Sequence, residues 1–214
     1  MGSCFSSEGD NNSGGGKSIS PEPNFNPVTY SPSQELIRSA NRVVIAVRFV
    51  AQTVLQNGSN HWVIFLQTGQ EEAVRINMDP SLTLGAQTPG HGYRGAMTIT
   101  HRNHAVTRNH ELMISIPTGR QHTVAQFIDT IVGARHHEYD FTTEGRGCTG
   151  WILDQYHLFL RQGLIPPKFD AIESAINMEW RQGKPSGGRQ ATRGFYMKDT
   201  RGGGWSRDGA VARR

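Results

Sequence analysis

The chain has 214 residues, 36% of them apolar, with 25 glycines and 10 prolines, enough for one hydrophobic core but not for burial of the whole length. No apolar run approaches the ~18 residues of a spanning helix, the start lacks the Lys/Arg-led apolar stretch of an ordinary secretory signal, and the net charge of +4 is too small to imply nucleic acid. Cys4 and Cys148 are the only cysteines; they provide neither a disulfide framework nor a Cys-rich zinc site, and the expected compartment is reducing.

Residues 1–33 are rich in Gly, Ser, Asn and Pro and read as a disordered segment. Met1-Gly2-Ser3-Cys4-Phe5-Ser6 fits an N-myristoylation signal. Gly2 would carry one acyl chain and Cys4 a second, which together would hold the protein on the cytoplasmic face of a membrane as a peripheral contact. Without acylation the expected location is the cytoplasm.

A core domain is expected over residues 34–182. Ser33-Gln-Glu-Leu resembles a helix entry, and Arg42–Thr53 is β-branched and apolar, which predicts a strand. His61–Leu66 and Glu72–Met78 predict two more strands joined by a hairpin at Thr68-Gly69-Gln70. Asp79–Gly95 reads as a Gly/Pro-rich loop. Ala96–Thr100 and Glu111–Ile116 complete the predicted strands. Thr123 is a candidate cap for a helix reaching Val132, stopped by Gly133. A second helix is expected from Cys148 to Gln162, and a third from Pro166-Pro167 to just before Gly183. Residues 183–214 carry eight Lys/Arg against Asp199 and Asp208 and read as a Gly/Arg-rich tail with one closing strand near 194–197. Strands first and helices later predict an α+β fold, a small antiparallel sheet packed against two or three helices.

Cys148 is the first candidate for chemistry. Gly147-Cys148-Thr149-Gly150-Trp151 puts a thiol at the first turn of an apolar helix, where free N–H groups and the helix dipole favour a thiolate. Gly147 and Gly150 would leave room for a substrate, and Arg146 adds positive potential. A cysteine nucleophile needs a base held by a third polar group. His61 opens the second strand. With the hairpin centred on Gly69 it faces Asn77, which points away from Val74, Ile76 and Met78. His101, His104 and His110, and the pair His136-His137, do not have the spacing or the companion ligands of a metal site. No metal and no cofactor is expected.

His61-Trp62-Val63-Ile64-Phe65 on a strand, followed later by Gly147-Cys148 at a helix start, resembles the circularly permuted papain-like superfamily, which includes the lecithin–retinol acyltransferase-like and desumoylating-isopeptidase-like families. Those families usually have Asn before the cysteine, where this chain has Gly147. Their second histidine is missing, with Asn77 or Arg75 in its region. Asn60-His61-Trp62, Val74-Arg75-Ile76-Asn77-Met78, Gly147-Cys148 with an aromatic soon after, and Gly194-Phe195-Tyr196 resemble, in the same order, a fungal family of uncharacterised function, domain of unknown function 7770. The first resemblance implies a thiol hydrolase or acyltransferase acting on an amide, ester or thioester, with Cys148 as nucleophile, His61 as base and Asn77 orienting the imidazole. Its partner would be a small-molecule or acylated substrate. The alternatives are a membrane-tethered adaptor without catalysis, or a cyclase- or isomerase-like accessory protein of fungal small-molecule biosynthesis.

Overall fold

The computed structural model describes residues 28–31, 33–55, 59–81, 92–107, 109–119, 122–167 and 171–197. Gly2, Cys4 and residues 198–214 lie outside them. Strand β1 (Val28–Ser31) precedes helix α1 (Ser33–Ala40), and β2 (Ala46–Val54), β3 (Asn60–Gln67), β4 (Ala73–Pro80), β5 (Gly95–Arg102) and β6 (His110–Pro117) follow. These six form one sheet in the order β1-β5-β4-β3-β2-β6. All neighbours are antiparallel except β1, which runs parallel to β5 at the edge. The sheet therefore begins ahead of residue 34, with β1 drawn from the stretch expected to be disordered.

Helices α2 (Val124–Gly133) and α3 (Cys148–Arg161) cover one face. Thr123 caps α2 in a reciprocal capping box with Gln126. Strand alternation sends Phe49, Trp62, Ile64, Leu66, Ile76 and Met97 toward the helices, where they meet Phe127, Ile131, Trp151 and Phe159 in one buried cluster. The fold is α+β.

After α3 the chain departs from the sequence expectation. In place of one helix up to Gly183, a short α4 (Ala171–Ile176) is followed by a hairpin of β8 (Met178–Arg181) and β9 (Lys184–Gly188). Gln182 and Gly183 have φ of 49° and 73°, the two successive positive values that a two-residue hairpin turn requires. Asn177 ends α4 by donating to Glu173 O at 2.8 Å. Strand β10 (Phe195–Tyr196) then pairs with β7 (Tyr139–Asp140), which returns residues 190–196 to the start of α3. A closing strand near 194–197 was expected; the residues ahead of it, expected to belong to the tail, also pack on the core.

Candidate functional site

The site lies at one end of the sheet, where β3 begins and β4 ends. Asn60 fixes that corner. It is 2% exposed; its Nδ2 donates to Gln52 O at 2.8 Å and to Trp180 O at 2.9 Å, and its Oδ1 accepts from the Trp180 N–H at 2.8 Å. The first residue of β3 is thereby tied to both β2 and β8, and the direction in which the next side chain, His61, projects is set by the pleat.

His61 Nε2 donates to Asn77 Oδ1 at 2.6 Å, and Asp79 Oδ1 lies 3.2 Å from the same nitrogen. Asn77 Nδ2 donates in turn to Asp79. An amide whose NH₂ is held by a carboxylate must turn its oxygen toward the ring, so Asp79 fixes the orientation of Asn77 and Asn77 fixes the tautomer of His61. Cys148 lines the same cleft as His61, near enough for its thiol to act on the imidazole. With Nε2 engaged by Asn77, Nδ1 is the nitrogen available to the thiol.

Burial opposes the His61 cation, but the hydrogen bond and charge of Cys148, then the charge of Asp79 and the bond to Asn77, outweigh it and raise the imidazole pKa above its ordinary value.

Cys148 is placed by a loop with its own bonds. Thr142 N–H donates to Arg146 O at 2.9 Å and Gly145 N–H to Thr142 O at 2.9 Å, while the Arg146 N–H donates to Thr142 Oγ1 at 3.1 Å. Gly147 follows with φ of 150°, outside the range of ordinary L-residues. Its carbonyl accepts from the buried Tyr139 hydroxyl at 2.9 Å, and that hydroxyl accepts from the Gly194 N–H at 2.5 Å. One phenol thus joins the Cys loop to the returning C-terminal segment. Burial pushes its pKa far up, so it stays a proton donor. Beneath this loop, Arg94 Nε pairs with Asp140 Oδ1 at 2.5 Å, both side chains almost fully buried.

Gly150 plays a different part from the one expected. A Cβ there would meet Arg193 Cγ and Thr192 O at 2.7 Å, and the Gly150 N–H donates to Thr192 O at 3.0 Å. Its missing side chain makes room for the protein's own strand-like segment and not for a ligand. Thr149 Oγ1 and Thr192 exchange two further bonds at 3.2 and 3.3 Å. Among the described residues the Cys148 N–H has no such partner, so it remains available at the helix start.

Cys148 and His61 open into a cleft of about 610 Å³ whose walls include Asp79, Arg146, Glu179 and Gln190, a volume in the ordinary small-molecule range of about 300–1,000 Å³. Arg146, expected to add positive potential near the thiol, is among the lining residues. The histidines considered for metal are dispersed: His101 is on β5, His110 Nδ1 sits 2.7 Å from Thr107 O, and His136 Nδ1 sits 3.1 Å from Gln155 Oε1. Among the described residues no cluster of three His, Cys, Asp or Glu has the geometry to hold a metal ion.

The sequence expectation brought together Cys148, His61 and Asn77, and the fold does so too. It missed Asp79, which had been assigned to the loop after β4. Ala73, Arg75, Asn77 and Asp79 alternate onto one face, and that alternation was the available signal.

The model of the family described as "Domain of unknown function (DUF7770)" matches residues 47–197. The chain belongs to that family. The matched stretch runs from β2 to the end of β10 and so takes in His61, Asn77, Asp79, Cys148 and the returning segment around Gly194. No curated protein and no solved structure matches the chain.

Proposed function

We propose that this DUF7770 protein is a cysteine-dependent hydrolase or acyltransferase acting on an amide, ester or thioester. One observation carries the reading: a thiol at a helix start shares a cleft with an imidazole whose Nε2 is held by an amide oxygen, the three parts on α3, β3 and β4. The order along the chain, base on a strand before nucleophile on a helix, supports a permuted papain-like arrangement.

Cys148 gives its proton to His61 and attacks the substrate carbonyl, forming a carbon–sulfur bond. The oxyanion is stabilised by the Cys148 N–H and the positive end of α3, a contribution that elsewhere reaches about 10²–10³ in rate per donor. His61 returns the proton to the leaving nitrogen, oxygen or sulfur as its bond to carbon breaks. Water, or an acceptor alcohol or amine, then gives a proton to His61 and attacks the acyl-cysteine, which restores the thiol. Asn77 keeps the ring aligned through both halves.

Intact-mass spectrometry tests this directly. Incubation with a panel of activated acyl esters and acyl thioesters is expected to leave one acyl group on Cys148, lost on Cys148→Ala. Turnover that survives Cys148→Ala undiminished contradicts the proposal. A thiol that never acylates supports the adaptor reading, in which Gly2 and Cys4 serve a membrane attachment and Cys148 is structural.

A further inference from the structure

The sheet face turned away from the helices has a small apolar centre of Val50, Val63, Phe65 and Ala73, packed by Val106 and Met113. Around it stand arginines. One cross-strand row runs Arg48, Phe65, Arg75 and Thr100 over β2, β3, β4 and β5, and Arg102, opposite Ala73, stands one pleat further along β5. Arg48 is engaged, its Nη1 donating to Ala105 O at 3.2 Å. The Nε atoms of all three arginines, together with Thr100 Oγ1, are buried without a hydrogen-bond partner. Arg75 and Arg102 differ from Arg48 in having no hydrogen bond from any guanidinium nitrogen and no ion-pair partner among the described residues.

Burial and then the charge of Arg102 hold the Arg75 guanidinium below its usual pKa, opposed by Asp79. Asp79 is itself bonded to Asn77 and faces His61. Two cations on adjacent strands, diagonal neighbours at about 7–8 Å, thus flank a hydroxyl without a carboxylate between them.

We propose that Arg75, Arg102 and Thr100 form a site for the dianionic phosphate of a phosphate monoester. A dianion balances both guanidinium groups, which a carboxylate does not, and its three oxygens can accept from both forks and from the Thr100 hydroxyl at once. All three side chains rise from paired strands, which fixes the spacing of their Cα atoms before the ligand arrives. It is independent of the thiol chemistry.

Thermal melting of the full chain in inorganic phosphate, against potassium chloride at matched ionic strength, provides the test. A saturable rise of several degrees is expected in the wild type and in Cys148→Ala, and its loss in Arg75→Gln and in Arg102→Gln. Phosphorus-31 line broadening follows the same binding without relying on stability. If Arg75→Gln does not fold, Arg102→Gln and Thr100→Val carry the comparison. Glycerol 3-phosphate matching inorganic phosphate identifies a soluble monoester. Cosedimentation with phosphatidic acid vesicles, abolished by Arg102→Gln, identifies a lipid headgroup. Equal responses in wild type and variants, or an equal effect of chloride, overturn the proposal.

Discussion

His61 and Asn77 meet at 2.6 Å as diagonal neighbours across β3 and β4. The paired residues of these strands, Ile64 with Ile76 through Gln67 with Ala73, set the turn around Gln70. The pairing stops at Ile64 with Ile76, and beyond it His61 reaches both Asn77 and Asp79, whose two carboxylate oxygens serve the ring and the amide.

Asp79 is therefore expected to matter through Asn77 as well as through its charge. Asp79→Ala frees the amide to turn over and should slow the reaction of Cys148 with iodoacetamide by about tenfold, less than the roughly 10²–10⁴-fold that a positioned proton-transfer group itself contributes. Asp79→Asn keeps an acceptor for the amide and should lose less. Equal rates in both variants and the wild type contradict this role.

The raised pKa of His61 has a defined sign in stability. Its proton is held more tightly in the folded chain than in the unfolded one, so the contribution is complete below the unfolded value of about 6.5 and is lost as pH rises through the higher folded value. In Cys148→Ala the main groups favouring the cation are gone and burial governs, which should lower the ring's pKa. Nuclear magnetic resonance titration of ring-labelled histidine checks this. An unchanged midpoint would place the thiol out of contact.

Tyr139 is expected to hold the Cys loop. Tyr139→Phe leaves the Gly147 carbonyl and the Gly194 N–H without their shared partner and should cost about 1–3 kcal/mol in urea denaturation. Alkylation of Cys148 should change with it. A variant as stable as the wild type and equally reactive contradicts the coupling.

Gly150→Ala forces a methyl group against Thr192 and Arg193 and should destabilise by about 1–3 kcal/mol. Protection of the Gly150 amide from hydrogen exchange, which its bond to Thr192 O provides, should fall. Full protection with unchanged stability would mean that residues 192–193 do not pack there.

Much of this was legible in the sequence because strand alternation is a parity signal. Centring the hairpin on Gly69 misplaced the turn by one residue, yet the sum of paired positions changed by two, so Asn77 stayed on the face of His61 and within diagonal reach. The capped start of α2 and the start of α3 at Cys148 were equally local. Asp79 was lost because Pro80 and the glycines beyond it read as loop, whereas β4 runs through Pro80 beside Gly95. The β8–β9 hairpin was lost because Gln182-Gly183 looks like a helix stop as readily as a turn. Contacts such as Tyr139 with Gly194, or Asn60 with Trp180, join distant positions and have no local pattern.

The rate of Cys148 alkylation by iodoacetamide near neutral pH, resolved by peptide mapping so that Cys4 is counted separately, tests the thiol–imidazole pair most directly. Wild type should react at least about tenfold faster than His61→Ala, with Asn77→Ala between them. A Cys148 that is inert in all three, or equally reactive in all three, contradicts it.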